Sequence, residues 1–407
     1  MGWLVPYSSL TPEQQQAVML PLEGHRVILG GPGSGKTLVL LHRFSYLFQT
    51  KGSHPEAGKL FVFTTTLKDF IRSALADVDV PQECVTTFDK WCADVYRANV
   101  KPSLPWRKEG KARGPDFAAI RDAVHDLIVN KGAMKGRYAF AVVDEGQDLS
   151  KQAMEIIACI SSHVTVAMDG KQQLYDEGMA EEGVLGVLGL KRHNVSLVSA
   201  FRCNPMVTCL AAHFLESEGK REEFRRQAKN AVGDRQKPIL MIAADFDDEK
   251  QRISELIRTR LARQEAVGIL FPQRRMVFGY ATGLKELGID VVTDSREGID
   301  FSDPRPKVLT YHEAKGLTFD SIFLPRLDTR AFTERLLNRM LPMMFVGASR
   351  AVKWACLSTT EGRMIPLVQQ IADGPAVDYV EVQKFTETST GKSDPDTIEV
   401  NIDELPF

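Results

Sequence analysis

Short apolar runs recur along the chain, and each breaks off in a polar or glycine-rich tip. Arg26-Val27-Ile28-Leu29, Lys59-Leu60-Phe61-Val62-Phe63, Tyr138 to Val143, Val164 to Met168, Leu197 to Cys203, Pro238 to Ile242, Val267 to Phe271, Ile289 to Val292 and Val308 to Thr310 all read as strands. Between them lie stretches predicted as helices: one opened by Thr11-Pro12, then Leu38–Phe44, Leu67–Leu75 and the highly charged 210–237. Thr11 is a favourable N-cap and Pro12 suits the first helical position. Strands alternating with helices predict an α/β fold with parallel sheets. The stretch 317–320 after a polar turn is expected to start a helix, and the stretch Met343–Ala351 to place Arg350 early in an apolar helix. Residues 101–137 read as a loop with a short helical insertion, and the polar stretch beyond Ala376 as a tail.

The most informative tip is Gly30-Gly31-Pro32-Gly33-Ser34-Gly35-Lys36-Thr37, a full match to the phosphate loop pattern, with a strand before it and a helix after it. Glycines let the backbone bend around an anion, so that its N–H groups and the helix N-terminus face the phosphates. Lys36 is then expected to reach the β- and γ-phosphates, and Thr37 to offer its hydroxyl to Mg²⁺.

The second decisive tip is Asp144-Glu145-Gly146-Gln147-Asp148. Two adjacent carboxylates end an apolar strand about a hundred residues after the loop. Asp144 is placed to hold Mg²⁺ and Glu145 to orient an attacking water. Gln14, upstream of the loop, is either a solvated helix residue or a reader of an adenine edge. No guanine-specific Asn-Lys-x-Asp segment occurs, which favours ATP. The hydroxyls at Thr64–Thr66 and Thr86–Thr87 either cap helices or hold phosphates of a nucleic-acid strand.

Net charge is −2, so any nucleic-acid site has to be a local basic surface. Arg107, Lys108, Lys111, Arg113, Lys131, Lys135 and Arg137 supply one candidate, equally readable as a solvated face. The six cysteines form no Cys-x-x-Cys pair and read as reduced thiols of a cytoplasmic protein. No apolar run reaches membrane-spanning length, and the N-terminus reads as neither signal peptide nor myristoylation site. His25, His42 and His54 read as caps, turns or surface residues, and no nuclease-like metal spacing is found.

Over most of residues 10–360 the order of these tips resembles the superfamily 1 helicases of the UvrD, Rep and PcrA type. Gln14 matches the family's adenine-reading glutamine, Gly30–Thr37 its phosphate loop, Thr64–Lys68 and Thr86–Phe88 motifs Ia and Ib, and Asp144–Asp148 motif II. Asp169-Gly170-Lys171-Gln172-Gln173-Leu174-Tyr175 is similar to motif III, Phe201-Arg202 to motif IV, His312–Asp320 to motif V and Val346–Ala351 to motif VI.

The resemblance implies two RecA-like domains with ATP in the cleft between them: 1–195, with a small insertion at about 92–137, and 196–376, followed by the tail 377–407. It implies a catalytic set of Lys36, Asp144, Glu145, Gln172, Arg202 and Arg350, the arginines acting as fingers on the transferred phosphate. Nucleotide contacts fall to Gln14, Gly30, Gly31, Pro32, Gly33, Ser34, Gly35, Lys36, Thr37, Arg202, Gly316 and Arg350, and Mg²⁺ to Thr37 and Asp144. Thr64, Thr66, Thr87, Tyr175 and His312 would grip single-stranded DNA, with 3′ to 5′ travel.

Asp176–Ala180 stands where the family has an aromatic-Arg-Gly-Ala segment, Thr318 where it has a ribose-binding Glu, and its large inserted domains have no counterpart. A stationary DNA-gated ATPase switch, in a repair or anti-phage assembly, and a small-molecule phosphate-loop enzyme are the alternatives. The last residues, Asp403-Glu404-Leu405-Pro406-Phe407, resemble the acidic tip of bacterial single-stranded-DNA-binding proteins. This implies docking to a protein partner through Asp403, Glu404, Pro406 and Phe407.

Overall fold

A computed structural model describes residues 4–31, 33–51, 54–109, 112–169, 178–197, 204–228, 236–294, 298–332, 334–337 and 339–385. The first part of the chain contributes β1 (Arg26–Gly30), β2 (Gly58–Val62), β3 (Val85–Thr87), β4 (Trp106–Glu109), β5 (Ala112–Pro115), β6 (Phe140–Val143), β7 (Val164–Met168) and β8 (Val195–Leu197). Six of these build a parallel sheet in the order β3-β2-β6-β7-β1-β8, while β4 and β5 pair antiparallel as a separate hairpin. The second part contributes β9 (Ile239–Ala243), β10 (Val267–Phe271), β11 (Val292–Thr293), β12 (Lys307–Thr310), β13 (Phe319–Leu324), β14 (Ala351–Thr360) and β15 (Glu381–Lys384). They form a second parallel sheet in the order β11-β12-β10-β13-β14-β9-β15.

The predicted α/β class with two parallel sheets is what the chain adopts, an architecture consistent with two RecA-like units. Every residue of β6, β7, β9 and β10 is buried. Helices cover both faces, so these strands are continuous apolar runs rather than alternating ones. One apolar core runs through both units: Leu67 and Phe70 of the first belong to it together with Ile299 and Leu317 of the second.

Parallel strands deliver their C-terminal tips to one edge. Here β1 runs into the phosphate loop, β2 into Phe63-Thr64, β6 into Asp144-Glu145 and β7 into Asp169. In register, Val27 of β1 is level with Val166 of β7, which is level with Val143 of β6. Two strand spacings, about 10 Å, therefore separate the backbone of the loop from that of the acidic tip, a gap that side chains can close.

Several elements differ from the sequence reading. The stretch expected to start a helix after the 312–316 turn is strand β13, and the apolar helix ends at Ala348, so Arg350 sits between that helix (Met340–Ala348) and β14. Apolar runs buried on both faces lack a distinguishing period, and here strand won. Residues 381–384, expected in a polar tail, form the edge strand β15 against β9. The 101–137 insertion is the β4–β5 hairpin plus a helix, Phe117–His125, that continues as a π-turn over Asp126–Asn130. Among the described residues, the charged 210–237 stretch takes in the end of the helix Pro205–His213 and the helix Glu218–Ala228. The strand predicted at 197–203 is seen only as β8, because 198–203 lie outside the described residues.

Candidate active site

The loop after β1 turns through Gly33 (φ 71°) and Gly35 (φ 81°), left-handed conformations that glycine adopts without penalty. A Cβ on Gly35 would fall 2.6 Å from Gln14 Nε2. That amide donates to Ser34 O at 3.0 Å, while Gln14 Oε1 accepts from Thr11 N at 3.0 Å in a capping box. Gln14 thus clamps the loop to the preceding helix. The helix Lys36–Lys51 begins at once, and its first-turn N–H groups open onto the loop. Lys36 folds back, donating to Gly30 O at 2.9 Å and Gly31 O at 3.1 Å, with Asp169 at 4.0 Å. Ser34 Oγ is buried with no hydrogen-bond partner among the described residues. An orphan hydroxyl, a pivoting ammonium and a helix N-terminus are donors that fit a polyphosphate.

Thr37 Oγ1 donates to Asp144 Oδ2 at 2.7 Å, closing the gap between loop and acidic tip. A hydroxyl and a carboxylate side by side are hard oxygen ligands of the kind Mg²⁺ takes. Burial and the adjacent Glu145 charge raise the Asp144 carboxyl to about 7, against the pull of Thr37 and Lys36. Glu145 is held in the left-handed region (φ 53°), a strain of about 1–2 kcal/mol for a non-glycine residue. Burial pushes its carboxyl up, but Lys36, Lys315 and Arg350 outweigh that and hold it below its ordinary range. Gln147 Nε2 donates to Glu145 Oε2 at 2.5 Å.

Two of those cations come from the second unit. Lys315 follows β12 and makes a buried ion pair with Asp148 at 2.5 Å. Arg350 is buried, and its guanidinium donates to Val346 O at 3.1 Å, Leu317 O at 3.3 Å and Ser349 Oγ at 3.0 Å. One of these bonds satisfies a carbonyl at the end of the helix Met340–Ala348, and the guanidinium charge acts on Glu145. Gly316 (φ 79°) lies where a Cβ would come within 2.9 Å of Leu67 Cδ2, so the turn carrying Lys315 packs directly on the first unit.

Thr64 Oγ1 accepts from Leu67 N at 3.0 Å and Thr87 Oγ1 from Lys90 N at 3.3 Å, so both are N-caps. A capping hydroxyl keeps its own proton to donate. Thr66 is buried in the first turn of the helix Thr65–Arg72. His312 stacks edge-on to Phe63 at 5.9 Å, and burial lowers its pKa. Beside these groups lies a cavity of about 340 Å³, lined by Phe63, Phe88, Asp89, Arg121, Asp148 and Ser150 of the first unit and Arg339 of the second, among others. Arg121 pairs with Asp89 at 2.9 Å.

The structure brings together Gln14, the described loop residues, Lys36, Thr37, Asp144, Glu145 and Arg350. Pro32, Gln172, Tyr175, Arg202, Asp403, Glu404, Pro406 and Phe407 lie outside the described residues. The sequence reading assigned no role to Phe63, Arg121, Gln147, Lys315 or Arg339. Gln147 and Lys315 sit inside recognisable motifs, and that was their available signal. Among the described residues no His/Cys/Asp/Glu metal cluster occurs, and no helix is long and apolar enough to cross a membrane.

Residues 10–109 match the model of the UvrD/REP helicase N-terminal domain. The ATP-dependent DNA helicase PcrA of Bacillus subtilis is 31% identical over 134 residues, 32% of this chain and 17% of that protein. A probable DNA helicase of Mycoplasma pneumoniae is 28% identical over 111 residues, 27% of this chain and 19% of that protein. The matched stretches therefore span under a fifth of either relative's length. The crystal structure of the C-terminal domain of a possible DNA helicase from Lactobacillus plantarum aligns at TM-score 0.35 and 17% identity, covering 45% of this chain and 99% of that one. Residues 10–109, which carry the phosphate loop, are thus similar to the N-terminal domain of UvrD/REP helicases.

Proposed function

We propose that the protein is a Mg²⁺-dependent ATPase that moves 3′ to 5′ along single-stranded DNA as a helicase or translocase. The observation that carries this is the Thr37–Asp144 contact at 2.7 Å, beside a glutamate flanked by cations of a second unit. Bound Mg²⁺ would neutralise charge on the phosphates and orient them. Lys36 would swing from the loop carbonyls to the phosphates. Glu145 would accept a proton from the attacking water, since it is held ionised at neutral pH. Arg350 would stabilise charge on the transferred phosphate with a fixed, permanently charged fork. The roles of Gln172 and Arg202 in the same step, and of Gln14 and Gly316 at the nucleoside, follow from the resemblance alone.

Thr64 and Thr87, at strand ends, His312 and the buried Thr66 would grip the strand, a role that follows from the resemblance. The neighbouring cavity offers two phenyl rings and an Arg/Asp pair, which suits one unstacked base. Because it is lined from both units, a base held there would feel their relative movement. The domain limits 1–195 and 196–376 are part of the same reading, with the second unit extended by β15 to residue 384.

The test is ATP hydrolysis with and without single-stranded DNA of several lengths, alongside Lys36→Ala. Turnover that depends on Lys36 and rises with strand length is expected. Stimulation that is flat with length would replace travel by a stationary DNA-gated switch, to which the small β4–β5 insertion is suited. Turnover indifferent to DNA would favour a small-molecule substrate.

A further inference from the structure

Two carboxylates line the cavity beside the strand tips. Asp148 is paired with Lys315, whereas Asp89 is only partly engaged. β2 and β3 pair at Val62 and Thr87, so the next residues, Phe63 and Phe88, leave the sheet side by side, and both line the cavity. Asp89 follows in the first turn of the helix Phe88–Asn99, and Arg121 comes from the inserted helix Phe117–His125. Arg121 Nη1 donates to Asp89 Oδ1 at 2.9 Å, a single contact rather than a two-pronged one. Among the described residues Asp89 Oδ2 and the other N–H groups of Arg121 have no hydrogen-bond partner. Side-chain exposure is 43% for Asp89 and 24% for Arg121, so that oxygen and those donors are open to a guest.

A carboxylate repels the phosphates of a strand, so what it takes from a nucleic acid is an N–H donor of a base. Guanine alone among the DNA bases offers two such donors side by side, N1–H and the N2 amino group, with the O6 acceptor next to them. Asp89 can accept from both, and Arg121 beside it can donate to O6. Adenine and cytosine offer the carboxylate an amino group only, and thymine a single ring N–H. We propose that Asp89 and Arg121 make this cavity a guanine-selective seat, so that the protein holds single-stranded DNA preferentially where a guanine occupies it. This deepens the strand-binding reading and rests on it. The phenyl rings supply stacking that any base accepts, and the ion pair supplies the preference.

The experiment measures, by fluorescence anisotropy, the dissociation constants of short labelled dT tracts that carry at their centre dT, dG, deoxyinosine or a deaza-dG with carbon in place of N7. Deoxyinosine keeps N1–H and O6 but lacks the N2 amino group, and deaza-dG keeps all three. Wild type is expected to bind the dG and deaza-dG tracts about tenfold more tightly than the dT tract, with deoxyinosine in between. Asp89→Asn is expected to bring the ratio of the dG and dT constants close to one, and Arg121→Gln to shrink it. A ratio taken within one variant cancels any general loss of strand affinity, and melting temperatures report whether each variant is folded. Equal wild-type affinity for the dG and dT tracts would overturn the proposal. So would a preference that deoxyinosine shares in full, or one that survives Asp89→Asn unchanged. Wild-type protein that binds none of the tracts would instead overturn the nucleic-acid reading itself.

Discussion

Lys315 Nζ lies 2.5 Å from Asp148 Oδ2, joining the second unit to the first with both side chains almost fully buried. A buried pair of this kind contributes little beyond well-packed apolar residues, yet breaking it strands a charge. Lys315→Met should therefore destabilise the protein by about 3–5 kcal/mol, and adding Asp148→Asn should recover part of that loss. Thermal unfolding of the two single variants and the double variant measures the coupling. Additive effects would show that the pair does not hold the units together.

The same pair gives a pH dependence. Burial raises the Asp148 carboxyl from 3.8 to about 6, against the pull of Lys315. A carboxyl whose pKa is higher folded than unfolded binds more protons in the folded state between the two values. Its contribution thus favours folding at the acid end and is lost as pH rises through about 6. Lys315→Met removes the pull and extends this window upward. The deficit of Lys315→Met relative to wild type should accordingly narrow as pH falls from about 7.5 to about 5.5, as read from melting temperatures.

What was legible in the sequence was chemistry confined to one tip at a time. The phosphate loop and Asp144-Glu145 each need only neighbours in the chain, so spacing revealed them. The meeting of Thr37 with Asp144 followed from parallel strands ending on one edge. Strand β13 was hidden because a buried run carries no period, and β15 because an edge strand, half exposed, reads as polar. The Asp148–Lys315 pair joins two motifs that the sequence presents separately, and only the packing of the Lys315–Gly316 turn onto Leu67 makes them neighbours. Thr64 and Thr87 were readable in two ways because capping and phosphate binding ask for the same hydroxyl.

Thr37 offers a cleaner test of the metal site than the acids do. Thr37→Ser keeps the hydroxyl that reaches Asp144, and Thr37→Val removes it while keeping the shape. The Mg²⁺ concentration for half-maximal ATP hydrolysis should stay near wild type in the first and rise about tenfold or more in the second. Equal Mg²⁺ requirements in both variants would remove Thr37 from the metal site.

Arg350 is expected to act on the rate rather than on binding. Arg350→Gln should lower kcat about 10³-fold, with a smaller change in the affinity for a fluorescent ATP analogue. Loss of nucleotide binding in parallel with turnover would mark it as a binding residue instead.

The contact between units also rests on backbone shape. Gly298 (φ 92°) approaches the helix Thr65–Arg72 so closely that a Cβ would lie 2.3 Å from Asp69 Oδ2. Beside it, Ile299 N donates to that same oxygen at 3.3 Å, and Phe301 meets Phe70 edge-on with centroids 5.2 Å apart. Gly298→Ala meets both a disfavoured φ and a collision, and should cost about 1–3 kcal/mol. Gly279, in the helix Arg274–Glu286, has open space around its missing Cβ. Gly279→Ala should instead stabilise the protein by about 0.5–1 kcal/mol. Opposite shifts in melting temperature are therefore expected from the same chemical change. A neutral Gly298→Ala would mean that the 298–301 loop and the Thr65–Arg72 helix are not held in contact in solution.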